Sequence, residues 1–114
     1  MYAYEIPGMR FSGVAGAAIA RYTLVAPKAD GTFINTTAES KNVVGVAMND
    51  PKQGEVLEIA DGIVKVIASD TIAIGDPVKL AADGKVAKDA GATAKIGVAL
   101  TDGKANGQVT IKLK

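Results

Sequence analysis

The side chains that could carry chemistry in this chain are carboxylates, amines and hydroxyls, because its 114 residues include no His and no Cys. The missing imidazole removes the commonest general base, the Ser-His-Asp triad and the usual zinc sites. The missing thiol removes cysteine nucleophiles and disulfides. What remains is a pair of carboxylates of the kind glycosidases use, either Glu55 with Glu58 or Asp50 with Glu55.

These carboxylates are better explained as structural groups. Nearly every Asp lies in a turn signal, where its side chain accepts backbone N–H groups. Glu55 and Glu58 fit solvent-facing positions of a strand. The acidic loops lack the ligand spacing of a calcium loop, and residues 13–16 lack the G-x-G-x-x-G spacing of a dinucleotide-binding turn. We therefore predict no catalytic residue, no metal site, no cofactor and no enzymatic activity.

The charge pattern bears on the partners. The net charge is +1, and charges of both signs alternate along the chain without a basic block. Nucleic-acid binding needs a basic stripe, and binding to a membrane surface needs a basic amphipathic face. No apolar run has the length of a bilayer span, and the first ten residues do not read as a signal peptide. We expect neither a nucleic acid nor a membrane as partner.

The elements that position these side chains are predicted to be short strands. Turn-forming pairs punctuate the chain beside runs of Val and Ile that alternate with polar residues. The pairs are Asp30-Gly31, Asp61-Gly62, Asp83-Gly84, Asp102-Gly103 and Asn106-Gly107. Through the turn at 61–62, residues 63–67 are expected to pair back onto residues 56–59. Helical signal is weak: residues 15–22 could form one or two turns, and residues 36–39 carry a possible capping box.

An internal repeat is visible at an offset of 52 or 53 residues. Residues 29–31, 44–48 and 54–56 match residues 82–84, 96–100 and 107–109. The pattern predicts a mainly β fold: one domain over 19–114, a small β-barrel or sandwich of short antiparallel strands with at most one or two short helices. Its pseudo-repeats span about 19–67 and 72–114. Gly45 and Gly97 are expected at equivalent places in the two halves, where another backbone or side chain can approach closely, although a simple bend of the barrel explains each glycine better when it is taken alone.

Residues 1–18 precede these repeats and are predicted to form an extended N-terminal arm. They hold most of the few aromatic side chains of the sequence, and exposed aromatic residues are natural anchors for a partner surface. The candidate contact residues are Tyr2, Tyr4, Ile6, Met9 and Phe11. The alternative is that the arm folds back on its own domain.

The order of the motifs carries a resemblance. The sequence reads G-D-x-V at 75–78, D-G-x-V at 83–86, I-G-V-A at 96–99 and G-x-V-x-I at 107–111. This order, in a chain free of His and Cys, resembles the head decoration or capsid cement proteins of tailed phages. The likeness runs from about residue 12 onward. Each motif alone is ordinary turn and strand chemistry, so the order carries the weight.

The resemblance implies a non-enzymatic structural protein of the virion. Such a protein is made in the host cytoplasm, binds the outer surface of an assembled capsid and bridges subunits of the major capsid protein. It implies a homo-oligomer, with a trimer favoured, and an N-terminal arm that can add a strand to the capsid by β-augmentation.

Two alternatives stay open. One is another phage structural component, such as a tail or fibre-associated β domain. The other is a lipoyl- or biotinyl-like carrier module with Lys104 at a hairpin tip. Lys104 lies close to the C-terminal end and lacks the Met-Lys-Met context of the biotin carrier, so an ordinary turn lysine explains it better.

Overall fold

The computed structural model describes residues 6–38, 40, 42–91 and 96–113, and for residues 6–8 it describes the backbone alone. Within these ranges the protein is mainly β: nine strands form one sheet that curls into a half-barrel, and one 3₁₀ turn spans Ala82–Gly84. This confirms the predicted fold class. No helix in the described part is long and apolar enough to cross a membrane. The strands are β1 Ile6–Val14, β2 Leu24–Pro27, β3 Phe33–Asn35, β4 Gly45–Ala47, β5 Val56–Ile67, β6 Pro77–Leu80, β7 Val86–Lys88, β8 Gly97–Ala99 and β9 Gln108–Leu113.

The longest strand, β5, organises the sheet. It pairs with β1 and β4 along its first half and with β9 along its second half, always antiparallel. The hydrogen-bonded order is β3-β2-β4-β5-β9-β8-β6-β7, with β1 paired to β5 beside this path. The segment predicted as an extended N-terminal arm therefore contributes a strand, β1, to the sheet of its own domain.

The predicted fold-back at residues 61–62 is wrong. Asp61 and Gly62 lie inside β5, and the chain runs through them without reversing. Gly62 takes a φ of 107°, and its N–H donates to the Asp61 carboxylate at 2.7 Å. An Asp-Gly pair thus adjusts a continuous strand here, as glycine does at bulges and bends.

The one or two helical turns that the weak signal at residues 15–22 allowed do not form. Backbone N–H groups of this segment donate to carbonyls of distant strands and loops: Ala15 to Glu55, Ile19 to Pro51 and Tyr22 to Ala47. Because these bonds occupy the donors, no i→i−4 ladder forms. The capping box predicted at residues 36–39 includes Glu39, which lies outside the described residues.

The repeat is visible in the hydrogen bonds. Val25 faces Gly45 between β2 and β4, and Val78 faces Gly97 between β6 and β8. The bonds that flank these pairs agree as well. The N–H of Val44 donates to the carbonyl of Val25 at 3.0 Å, and the N–H of Ile96 donates to the carbonyl of Val78 at 2.8 Å. The two halves therefore share strand order and register.

This correspondence reaches further toward the N-terminus than the predicted repeat limit at residue 19. Strand β1 pairs with β5 as the second half of β5 pairs with β9: Val14 faces Val56, and Ile67 faces Gln108. We call residues 6–60 the first unit and residues 61–113 the second unit. Strand β5 is thus the last strand of one unit and the first strand of the next.

Each unit has its own apolar core. Along β5, Leu57 and Ile59 belong to the first core, whereas Ala60, Val64 and Val66 belong to the second. Since successive side chains of a strand point to opposite faces, β5 serves the two cores from opposite faces. The first core comprises Ala15, Ile19, Val25, Ala47, Leu57 and Ile59, with Phe11, Phe33 and Val44 packed against it. The corresponding residues of the second unit all lie in the second core or pack against it.

Gly45 and Gly97 occupy equivalent tight places, as predicted. A Cβ on Gly45 would stand 2.5 Å from the carbonyl oxygen of Ala60. A Cβ on Gly97 would collide in the same way with the carbonyl oxygen of Lys112. Each glycine thus lets its strand lie close to the backbone of the neighbouring strand.

Candidate functional site

The carboxylates that could have formed a catalytic pair each hold a piece of local structure. Asp50 accepts the backbone N–H of Arg21 at 2.6 Å, and Glu55 accepts that of Lys52 at 2.7 Å. Glu58 accepts the hydroxyl of Ser12 across the β1–β5 pair at 3.0 Å. These hydrogen bonds give each of the three carboxylates a structural role in a turn or a strand pair.

The electrostatics of the described residues show one clear perturbation. The hydroxyl and backbone N–H of Thr32 donate to Asp30 at 2.6 and 2.9 Å, and they lower the pKa of that exposed carboxyl. This is the behaviour of an Asp that closes a turn. Among the residues described, no three acidic side chains gather where they could hold a metal ion.

Lys104 lies exposed in the turn before β9, where its carbonyl accepts the N–H of Gly107 at 2.9 Å. An open groove runs beside it between residues 71–73 and residues 102–108. Asp102 lines this groove, but its carboxylate is engaged with the N–H of Ile74 at 2.8 Å. The arrangement is the counterpart of Asp50 with Arg21 in the first unit, so it belongs to the repeated fold.

The predicted contact residues fall in different settings. Tyr2 and Tyr4 lie outside the described residues. Ile6 begins β1, where its backbone is the register partner of Ile63. Met9 is 63% exposed, whereas Phe11 is half-buried against the ring of Phe33, with 6.2 Å between the ring centroids. Met9 is therefore available to a partner, and Phe11 also covers its own core.

Further large apolar side chains are exposed and were missed by sequence reasoning. Val14 and Val56 are 45% and 59% exposed, and they face each other across β1 and β5. Ile74, at 59%, lies in the turn before β6. The predicted match of residues 54–56 with 107–109 is one residue out and pairs Val56 with the buried Val109. The N–H groups of Gly54 and Asn106 donate to the carbonyls of Ala15 and Ala68 in equivalent bonds, so the structural counterpart of Val56 is the exposed Gln108.

The fold and its surface define a small β module made of two similar units, with apolar side chains presented on and beside its first strand. The model of the phage cement protein family matches residues 29–114, so the chain belongs to that family. It is thus a phage structural protein and a component of the virion.

Comparison with solved structures gives a similar fold. The N base of the head fiber gp8.5 of bacteriophage phi29 has a TM-score of 0.78 against this chain. The likeness covers 93% of each chain at 20% sequence identity. No curated protein matches the sequence.

Proposed function

We propose that this protein binds the outer surface of an assembled phage capsid and stabilises it by bridging subunits of the major capsid protein. It does so without catalysis and as a homo-oligomer, with a trimer favoured. The observation that carries the proposal is membership of the phage cement protein family over residues 29–114. The carboxylates fastened into turns and the exposed apolar residues of β1 support it.

The mechanism is linkage. A protein that binds only the assembled lattice stabilises that lattice by RT ln(1 + [L]/Kd), about 2.7 kcal/mol at a hundredfold excess of free ligand over Kd. A bridge that touches two capsid subunits adds avidity, because the second contact forms within an existing complex. Many weak sites on one shell can therefore give a large total effect.

The contact surface we propose is the N-terminal segment with Tyr2, Tyr4, Ile6, Met9 and Phe11. Strand β1 pairs with β5 along one edge, and in the described residues no strand is paired along the rest of its other edge, beyond the single bridge of Ala15 to Phe33. An open edge beside an exposed Met9 is suited to β-augmentation by a capsid segment.

The test is co-sedimentation of the protein with expanded heads of its own phage. Three forms are compared: the full chain, a deletion of residues 1–5, and Met9→Ala. The deletion removes Tyr2 and Tyr4 and leaves β1 whole. Saturable binding that either change weakens about tenfold or more supports the proposal, since anchor residues typically contribute above about 1.4 kcal/mol.

The outcomes separate the two parts of the proposal. Binding that neither change weakens would keep the function and reject the contact residues. If the full chain does not bind heads at any concentration, the capsid proposal fails.

A second candidate, a base that attaches a fibre to the head, is favoured by the fold shared with the phi29 head fiber base. It predicts that fibre material co-purifies on the bound protein.

A further inference from the structure

The contact between the two units inside the chain has a simple geometry. Leu24, Val46 and Ala60 form a row across β2, β4 and β5, since Leu24 faces Val46 and Val46 faces Ala60. All three side chains are completely buried, and they join the core of the second unit. The row of the first unit thus covers one end of the second core, which would otherwise be exposed to solvent.

Hydrogen bonds fix the position of this contact. The N–H of Ile67 donates to the carbonyl of Tyr22 at 2.9 Å, and the N–H of Gly84 donates to the carbonyl of Thr36 at 2.9 Å. Burial of the row together with these bonds makes the contact specific. It is an interface between two units that happen to share a chain.

The second unit carries the same row on its outer side. Pro77 faces Val98, and Val98 faces Lys112, in the register of the first row. We call these three residues the outer row. Here Pro77 and Val98 are half-buried and Lys112 is exposed. The exposed Ile74 precedes this row in the chain, so apolar surface remains open where the first unit has a closed interface.

The first core has the matching open end. In the second unit Val64 and Val86 lie fully buried under the first row. Their counterparts are Phe11 and Phe33, which are half-buried and stack edge to face. We call Met9, Phe11 and Phe33 the aromatic end. Its surroundings include the carboxylate of Asp61, the register partner of Met9.

We propose that copies of this chain associate head to tail, with the outer row of one copy seated on the aromatic end of the next. The contact would repeat between chains the interface that already joins the two units within one chain. Lys112 of the outer row and Asp61 beside the aromatic end carry opposite charges, which suits this pairing. Such a heterologous contact closes into a ring when the rotation allows it.

This inference names the surfaces of the oligomer proposed above. A copy seated on the aromatic end covers Met9 and Phe11, so in the oligomer the proposed capsid contact is left to the rest of the N-terminal segment. The inference is tested without heads, so its failure is distinct from a failure of capsid binding. The variants are Val98→Glu on the outer row and Met9→Lys at the aromatic end. Each new charge meets an opposite charge at its register partner in the same chain. That partner is Lys112 for the Val98→Glu carboxylate and Asp61 for the Met9→Lys ammonium, so both variants are expected to fold.

The measurement is native mass spectrometry over a concentration series, with folding checked by circular dichroism. The wild type is expected to form oligomers, and each variant to associate at least about a hundredfold more weakly, because each buries a charge against one of like sign. Lys104→Glu, an exposed charge change in the turn before β9, is the control and should associate like the wild type.

Mixing the two variants tests the head-to-tail geometry. The unchanged outer row of the Met9→Lys copy can dock on the unchanged aromatic end of the Val98→Glu copy, so a mixture should form complexes that contain both. A wild type that stays monomeric up to about 1 mM, the weak limit of useful affinity, overturns the inference. Association that survives both substitutions, or a mixture that stays monomeric while the wild type associates, overturns it as well.

Discussion

Replacing Gly45 by Ala should destabilise the protein more than a surface substitution can. The new Cβ would stand 2.5 Å from the carbonyl oxygen of Ala60 and 2.8 Å from Cγ2 of Ile59, so β4 and β5 must move apart by most of an ångström. Overpacking of this kind costs about 1–3 kcal/mol, and a lower unfolded-state entropy returns about 0.4–1 kcal/mol. We take the upper part of that range, because the obstacle is backbone and cannot rotate away.

The expected net loss is about 2 kcal/mol of unfolding free energy, or about 8 °C in Tm for a domain of this size. Gly97→Ala should cost a similar amount, since its Cβ would meet the carbonyl of Lys112 in the same geometry. Urea unfolding followed by circular dichroism measures both. The matched control is Gly54→Asn: Gly54 has a φ of 87° with open space around it, and its counterpart Asn106 adopts a φ of 64°.

Gly54→Asn should stay within about 0.5 kcal/mol of the wild type, because the second unit already places Asn there. If Gly45→Ala and Gly97→Ala also stay within that range, close approach of the backbones does not explain these glycines. If the two differ widely from each other, the units are not equivalent in energy although they share register.

Three other outcomes are expected. Val46→Ala should lower the free energy of unfolding in urea by about 1–3 kcal/mol and Val98→Ala by less than about 1 kcal/mol, because Val46 is fully buried and Val98 is half-exposed. Equal losses would contradict the account of the two rows. Gly13→Ala and Phe33→Ala should be less harmful together than their sum by about 1 kcal/mol, because a Cβ on Gly13 would enter the space of the Phe33 ring; an additive cycle would show that they do not share that space. The pKa of Asp30 is lowered in the folded state, so its contribution to stability is present above its ordinary pKa of 3.8 and is lost as the pH falls through the folded value. Asp30→Asn should therefore make the stability depend less on pH in acid. An unchanged pH dependence would show that this turn does not sense pH.

Much of the fold could be predicted from local signals. Turn pairs and alternation indicated short antiparallel strands, and the motif offset indicated two similar halves. Local signals did not show that the repeat extends beyond residue 19 toward the N-terminus and includes β1. Strand β1 matches the second half of β5 in pairing, but Phe11 and Gly13 stand where the second unit has Val64 and Val66. The large Phe11 and the small Gly13 together take the place of two valines of intermediate size. Because the side-chain volumes are redistributed in this way, the two segments do not look alike in sequence.

The error at residues 61–62 has a related cause. Asp-Gly favours a tight turn only where the flanking strands can pair with each other. Here residues 56–59 and 63–67 find their partners in β1, β4 and β9, all distant in sequence. Similarly, Phe11 is half-buried against the ring of Phe33, which no local pattern connects to it.

The shared strand has a mechanical consequence. Because β5 ends one unit and begins the next, no linker exists at which the halves could bend apart. A tensile load applied to one unit reaches the other through covalent bonds along a strand that is clamped on its flanks by β1, β4 and β9. The two ladders meet at Ile63, which pairs with Ile6 on one side and with Lys112 on the other, so the molecule should respond to a pulling force as a single stiff body.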